Sequence, residues 1–302
     1  MYFAGIDGGG TKSRLMAVDE NGRLYGPYIG KSTNIYSNPV SVVQSNIKSL
    51  ILDFMSAQEA ELDALAGFCL GSAGVDLPQN VLDYEEMLRG IGLGCPLKVV
   101  NDVEIVLESE AKGQPGIVAI SGTGSIVFGK DETKAAVRVG GWGYLVGDEG
   151  SGYWIGREAV RRSLCSYDGR GEETVLIPLL MEACKLKDLS EIINMIYAPD
   201  TNKSDVAAFS RLVDQAARAQ DRVAGQILEE AAEDLAAAVC AARKRMQLPE
   251  EFPVILSGGT ILGSEILYRK LVSKLETITG NIRRTQQEPC MGAVYLARNC
   301  AL

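Results

Sequence analysis

The sequence contains no histidine among its 302 residues. A Ser-His-Asp triad, a histidine-activated cysteine and a histidine-ligated zinc site are therefore excluded. A general base in this chain has to be a carboxylate or, less readily, a lysine, tyrosine or cysteine.

Paired cysteines and long apolar runs are also missing. The seven cysteines form no CxxC pair and are odd in number, which is typical of free thiols in a reducing cytoplasm. No basic run followed by an apolar stretch opens the chain, so we expect no signal peptide. The longest uncharged stretch, residues 113–129, is interrupted by Pro115 and several glycines, and we predict no membrane span.

Positive charge is scarce, with a formal net charge of -9. This argues against nucleic acid as the main partner, because binding a phosphate backbone requires a basic face. A nucleotide is still compatible, since backbone N–H groups, helix N-termini and bound magnesium supply positive potential locally. The length predicts about two domains, and the 46% hydrophobic content suffices to fill their cores.

One arrangement of predicted strands occurs twice along the chain. Strands at 2–6, 13–18 and 23–29 enclose a glycine-rich turn, and strands at 116–120, 126–129 and 136–139 enclose another. This pattern predicts an architectural repeat, with a linker near 111–115. Apolar spacing predicts helices that include 172–184, 204–217 and 221–246, with a late strand at 253–256 and a closing helix at 289–299.

The first glycine-rich turn is Asp7-Gly8-Gly9-Gly10-Thr11-Lys12. It joins two strands, whereas a dinucleotide fingerprint and a P-loop both open a helix. Glycine allows positive φ and close backbone approach, and Thr11 and Lys12 add side-chain donors, so the turn is suited to phosphate. A plain hairpin turn is the alternative interpretation.

The second glycine-rich turn is Ser121-Gly122-Thr123-Gly124-Ser125, which also joins two strands. Alone it too is compatible with a plain hairpin. Because such a turn opens each half of the chain, we expect the two turns to face each other across a cleft and to hold the phosphates of ATP.

Asn101 and Asp102 stand where a strand ends and a helix begins. They are compatible with helix capping. They are equally compatible with a carboxylate at the carboxyl edge of a sheet, where α/β proteins bind ligands, and there Asp102 would accept a proton from an attacking hydroxyl.

Residues 140–152 form a loop with six glycines, and Ser257-Gly258-Gly259 ends the late strand. In the loop, Asp148 or Glu149 can accept sugar hydroxyls or act as first-turn acids of the next helix. For Trp142, the local sequence favours a core position. Gly258 and Gly259 would let an adenine or ribose lie against backbone, or form a simple strand-to-helix turn.

Together these motifs resemble the sugar kinases and ATPases of the actin/Hsp70/hexokinase superfamily, and within it the N-acetylglucosamine kinase and BadF/BadG ATPase family. The resemblance covers nearly the whole chain, and the stretch Gly140–Ile155 is its most specific part. It implies an α/β fold of two ribonuclease-H-like domains, residues 1–112 and 113–288, with ATP and Mg²⁺ in the cleft and the helix 289–302 packed back on the first domain.

The resemblance also implies roles for individual residues. The ATP-binding residues would be Gly8, Gly9, Gly10, Thr11, Lys12, Gly122, Thr123, Gly124, Ala217, Gly258 and Gly259. Asp7 would hold Mg²⁺ through water, and Asp102 would be the catalytic base. The sugar would contact Asn34, Asp102, Gly141, Trp142, Gly143 and Asp148.

The implied reaction is phosphoryl transfer from ATP to the 6-hydroxyl (O6) of N-acetylglucosamine or a related amino sugar. The resemblance also makes a homodimer a common assembly. Glucosamine, glucose and a rarer sugar stay open as substrates. The alternative function is an ATPase that works as a switch or sensor without a phosphorylated product, because fold alone does not decide function. The cysteines do not resemble the iron–sulfur arrangement of the dehydratase activators in this family.

Overall fold

The computed structural model describes residues 1–301. In chain order its strands are β1 (Tyr2–Gly8), β2 (Lys12–Asp19), β3 (Leu24–Lys31), β4 (Leu65–Ser72), β5 (Leu97–Asn101), β6 (Gly116–Ser121), β7 (Ser125–Lys130), β8 (Ala136–Gly140), β9 (Val254–Ser257) and β10 (Ile282–Arg284). Its α-helices are α1 (Val40–Ala57), α2 (Pro78–Ile91), α3 (Asp102–Ala111), α4 (Gly152–Tyr167), α5 (Leu176–Cys184), α6 (Ile192–Ile196), α7 (Lys203–Ala208), α8 (Ser210–Arg218), α9 (Arg222–Lys244), α10 (Gly259–Gly263), α11 (Glu265–Leu275) and α12 (Pro289–Cys300).

The described residues divide into two compact units, residues 1–114 with 285–301 and residues 115–284. Each contains a five-stranded sheet, in the order β3-β2-β1-β4-β5 in the first unit and β8-β7-β6-β9-β10 in the second. In both sheets the first three strands are an antiparallel meander, and the last two run parallel to the central strand. The predicted α/β class and the architectural repeat are therefore confirmed.

In the first unit, helices cover both faces of the sheet because alternate residues of each strand point to opposite faces. Ile6 of β1 belongs to the core that α1 and α2 fill with residues such as Phe54. On the other face lie α3 and α12. On the face toward α12, position 5 of β1 requires glycine, because a Cβ on Gly5 would stand 2.6 Å from the Cβ of Ala293.

In the second unit, the long helix α9 supplies much of the core. Its apolar residues recur at helical spacing, among them Ile227, Leu228 and Leu235, and they pack with the strands β6, β7 and β9. A smaller apolar cluster joins α4 to α5, α6 and α7. Helices α5, α7 and α8 pack against α4, and α8 also packs against α9.

Two of the predicted helices are wrong in extent. The helix expected at 172–184 begins only at Leu176, because the side chain of Asp221 and the hydroxyl of Thr174 bind the backbone N–H groups of Val175 and Leu176. The helix expected at 204–217 is two helices, α7 and α8, with Phe209 at the junction. Phe209 is buried in the small cluster, so tertiary packing decides the break.

All seven cysteines are free thiols. Within residues 1–301, no helix combines the length and the apolar character that a bilayer crossing demands.

Candidate active site

The carboxyl ends of three parallel strands meet in one row in the first unit. Gly8 at the end of β1 pairs with Ser72 at the end of β4, which pairs with Asn101 at the end of β5. This is the sheet edge where α/β proteins bind ligands. The turn after β1 and the first residues of α3 therefore share one edge.

The turn Gly8–Thr11 is narrow at its base and open at its tip. The N–H of Gly9 donates to the carbonyl of Lys12 at 3.0 Å. A Cβ on Gly8 would lie 2.1 Å from Oγ1 of Thr33, whereas one on Gly10 would meet only Ser37 Oγ at 3.8 Å. None of Gly8, Gly9 and Gly10 lies in the left-handed region, so at Gly8 close approach, and not positive φ, is what requires glycine.

Asp102 is the first residue of α3, directly after the helix cap. The cap is Asn101, whose side chain accepts a hydrogen bond from the N–H of Val103 at 3.0 Å. Burial, and then the neighbouring charge of Asp7, raises the pKa of Asp102 to about 6. Capping therefore falls to Asn101, and Asp102 is a carboxylate tuned toward neutral pH, as a general base requires.

Asp7 lies one residue before the glycine turn, in register with Arg14 of β2. Burial has the largest effect on the pKa of Asp7 and raises it. Arg14 and Lys12 act in the opposite direction, and Glu288 raises the pKa further. Within the described residues, no three Cys, Asp or Glu side chains come together as a metal cage.

Asn34 is held beside the same edge by a hydroxyl network that our sequence reasoning missed. The Tyr84 hydroxyl donates to the carbonyl of Thr33 at 2.6 Å and lies 3.2 Å from Oγ of Ser72. The side-chain oxygen of Asn34 accepts from the N–H of Tyr36 at 2.7 Å, which fixes the turn. Tyr84 lies on the apolar face of α2, where a buried tyrosine needs a partner for its hydroxyl. That need was the one feature of the sequence that pointed to this network.

In the second unit, the turn Ser121–Ser125 is fastened by its surroundings. The carbonyl of Gly122 accepts from the N–H of Gly152 at 2.8 Å and from Oγ1 of Thr260 at 2.9 Å. The carbonyl of Thr123 accepts from the N–H of Tyr153 at 3.2 Å. The N-terminus of α4 therefore fixes the position of this turn. Thr260 was not predicted.

Asp148 lies under the same turn and is only 8% exposed. Its Oδ1 accepts the N–H of Gly143 at 3.2 Å, and a Cβ on Gly124 would stand 2.6 Å from Oδ2. Burial raises its pKa. The alternative role as a first-turn acid does not apply, because α4 begins at Gly152 and Ser151 caps it by accepting from the N–H of Trp154.

Trp142 is 71% exposed, so the core position that the local sequence favours is wrong. The guanidinium of Arg138 lies over its ring at 5.2 Å. Gly141 and Gly143 on either side have φ of 71° and 91°, which a side chain would strain. The backbone of this loop thus presents the indole to solvent.

Gly258 and Gly259 differ in what they tolerate. Gly258 has φ of 96°, and a Cβ there would lie 2.3 Å from the carbonyl oxygen of Ser121, whereas Gly259 has open space. Ala217 lies in α8 one turn after Asp214, whose carboxylate accepts from the hydroxyl of Ser264. The second unit thus brings Gly122–Gly124, Asp148 and Gly258–Gly259 together.

Comparison with known proteins identifies related sequences along almost the whole chain. The profile of the BadF/BadG/BcrA/BcrD ATPase family matches residues 4–297. An N-acetylmuramic acid/N-acetylglucosamine kinase of Clostridium acetobutylicum is 33% identical over 99% of this chain and 98% of its own. An N-acetyl-D-glucosamine kinase of Dictyostelium discoideum is 31% identical, with 98% of both chains covered.

Solved structures show the same fold. A candidate N-acetylglucosamine kinase from Chromobacterium violaceum superimposes with a TM-score of 0.78 at 26% identity, covering 98% of each chain. A ROK family glucokinase from Streptomyces griseus, solved with glucose and AMPPNP, superimposes with a TM-score of 0.57 at 16% identity, over 99% of this chain and all of its own. At that identity the second match concerns the fold alone.

Proposed function

Because the chain belongs to the BadF/BadG/BcrA/BcrD ATPase family and is an ATP-dependent carbohydrate kinase, we propose that it phosphorylates O6 of N-acetylglucosamine or a closely related amino sugar. The acceptor is inferred from the sugars named for its relatives, N-acetylglucosamine in both and N-acetylmuramic acid in one. The phosphoryl donor is ATP.

Asp102 carries the proposal. Its carboxylate stands at the carboxyl end of β5, in the row of strand ends that includes Gly8 and the first glycine turn. With a pKa of about 6, it is ionised at neutral pH and still basic enough to take a proton from a sugar hydroxyl. In the proposed reaction the hydroxyl oxygen attacks the γ-phosphorus, the proton passes to Asp102, and ADP leaves.

The phosphates of ATP are assigned to the two glycine turns, with Gly258, Gly259 and Ala217 beside the adenosine. The backbone of Gly8–Gly10 and Gly122–Gly124 would supply N–H donors, and exposed Thr11 and Lys12 would add a hydroxyl and an ammonium. Positioning and charge stabilisation provide most of the catalysis in phosphoryl transfer.

Asp7 fits the implied Mg²⁺, since Mg²⁺ prefers oxygen ligands and is usually bound by one or two carboxylates together with waters and phosphates. Its carboxylate directly precedes the first glycine turn, where it would hold Mg²⁺ through water. Bound Mg²⁺ would neutralise charge on the phosphates.

The sugar is assigned to Asn34, Trp142, Asp148 and the backbone of Gly141 and Gly143, besides Asp102. Asp148 already accepts one backbone N–H, and a carboxylate has further lone pairs for sugar hydroxyls. The exposed indole of Trp142 offers an apolar face to a sugar ring.

A coupled assay of ADP release with ATP and Mg²⁺ tests the proposal. We expect release to depend on N-acetylglucosamine, and we expect the 6-deoxy analogue to give none. N-acetylmuramic acid, glucosamine and glucose complete the panel and rank the acceptors by kcat/KM. ADP release that is independent of every added sugar would overturn the kinase assignment and favour the ATPase switch, which the named relatives do not support.

A further inference from the structure

The second unit contains a cavity of about 560 Å³ that has no role in the proposed reaction. Three arginines line it, Arg161 and Arg162 from α4 and Arg170 from the following loop, together with the thiol-bearing Cys165. Its volume is within the range of small-molecule sites. Glu172 is the one acidic residue of this lining, and Arg222 pairs with it at 3.5 Å.

Arg162 carries a buried donor without a hydrogen bond. Its Nη1 and Nη2 donate to Gln226 and Glu230 of α9, but its Nε has no hydrogen-bond partner among residues 1–301. The ion pair from Nε to Oε2 of Glu158 is 3.6 Å long, beyond hydrogen-bond distance. A buried N–H without an acceptor is costly, so the hydrogen bonding of this guanidinium is incomplete as it stands.

Arg161 and Arg170 use only part of their N–H donors in bonds within the protein. Arg161 binds Glu158 through Nε and Nη2, and Arg170 binds Asp168 through the same pair of atoms. Among residues 1–301, this leaves Nη1 of both side chains, with its two N–H groups, for a ligand. Planar guanidinium groups in such a cluster match the oxygens of phosphate better than a lysine would.

The helix α4 connects this cavity with the second glycine turn. Its N-terminal residues Gly152 and Tyr153 donate to the carbonyls of Gly122 and Thr123, and its C-terminal half carries Arg161 and Arg162. Helix α9 runs along the same path. It offers Gln226 to the cavity, and its Leu235 and Ala231 lie against Gly150. A ligand that reorients these arginines can therefore act on the turn through packed helices.

We propose that this arginine-lined cavity is an effector site for small phosphate monoesters, such as a sugar phosphate, and that its occupant changes the affinity of the enzyme for ATP. Two sites linked in this way are coupled reciprocally, typically by about fivefold or more.

Alkylation of Cys165 reports on the cavity without requiring activity, so it separates this proposal from the choice of sugar substrate. The wild-type chain is treated with iodoacetamide with and without inorganic phosphate or N-acetylglucosamine 6-phosphate, and each thiol is followed by mass spectrometry. We expect either probe to slow the alkylation of Cys165 saturably. Cys184 and Cys240, also partly buried, are the internal references.

A paired set of variants tests the arginines. Arg161→Ala/Arg170→Ala removes two donors and leaves Arg157 and Arg162 as partners of buried Glu158. Arg269→Ala is the matched control, because Arg269 is an exposed arginine paired within its own helix to Glu265, outside the cavity. Thermal unfolding establishes that both variants fold.

We expect the double variant, and not the control, to lose the protection of Cys165. We also expect saturating N-acetylglucosamine 6-phosphate to shift the KM for ATP by about fivefold in the wild type and the control, with no such shift in the double variant. Unchanged alkylation of Cys165, protection that persists in the double variant, or protection without any change in KM would each overturn the effector site.

Discussion

The two glycine turns occupy the same position in two sheets of the same order, yet they are held differently. In the first, the carbonyls of Gly8 and Gly9 accept from the N–H groups of Ala73 and Thr33, while Gly10, Thr11 and Lys12 are exposed. The second, Ser121–Ser125, gives its carbonyls to the N-terminus of α4 and to Thr260. Buried Asp148 lies under it.

This difference indicates that the two glycine turns have different roles. The first turn stands beside two carboxylates, Asp7 and Asp102, and supplies side-chain donors of its own. The second turn has no exposed residue, and its backbone is held by the N-terminus of α4 and by Thr260. Changes near the first turn should therefore alter chemistry and ligand affinity, whereas changes near the second should alter stability.

The sharpest test of these roles is Asp102→Asn. We expect turnover to fall by about 100-fold or more, because the amide cannot take the proton of the sugar hydroxyl, while sugar binding persists. Steady-state kinetics and calorimetric sugar binding measure the two effects. Near-normal turnover would remove Asp102 from the role of base.

Next in size is the contrast between Gly258→Ala and Gly259→Ala. The first forces a side chain into positive φ and against the Ser121 carbonyl, and should destabilise the protein by about 2–3 kcal/mol. The second meets open space and should leave unfolding unchanged within about 0.5 kcal/mol. Urea denaturation compares them. Equal losses would contradict a second turn fixed by close packing at Gly258.

A smaller effect is expected for Lys12→Ala, which removes an exposed ammonium from the first turn. We expect the KM for ATP to rise about tenfold, the equivalent of one charged hydrogen bond, with stability unchanged. Lys31→Ala is the matched control, because Lys31 is the exposed cross-strand partner of Lys12 in β3. A similar rise in KM for both variants would reduce the effect to general electrostatics.

The smallest effect concerns pH. Because burial, and then Asp7, raises the pKa of Asp102 to about 6, kcat/KM should rise with pH and level off above about 6. The negative charge of buried Asp102 lowers the free energy of unfolding above pH 6. This destabilisation decreases as the pH falls toward 3.8, the pKa of the carboxyl group in the unfolded chain. Asp102→Asn should therefore unfold no more readily than the wild type at pH 8. A pH profile with no inflection near 6 would argue against an essential group with this pKa.

Much of the architecture could be predicted because it rests on local patterns. Alternating apolar residues and glycine-rich turns revealed the repeat, and the absence of histidine directed attention to Asp102. The distinction between Asn101 as cap and Asp102 as free carboxylate required backbone geometry. The exposure of Trp142 also could not be predicted, since a lone tryptophan in a glycine-rich loop has no periodicity to indicate its side.

Other features depend on contacts that join distant segments. The network of Thr33, Ser72 and Tyr84 links a loop, a strand and a helix, so no single window of sequence contains it. The break at Phe209 follows from burial against α4 and α5, against the helical preference of the surrounding residues. Of the two reasons expected for glycine in the first turn, close approach applies at Gly8, and positive φ applies at none of the three glycines.

The return of α12 to the first unit bears on synthesis at the ribosome. The second unit, residues 115–284, is continuous and can complete its fold while translation proceeds. The first unit must wait for residues 285–301, because α12 packs on β1 and Cys290 donates its thiol hydrogen to the carbonyl of Gly5. The part made first is thus completed only after the whole second unit has been made, and the sheet edge that carries Asp7 and Asp102 is completed with it.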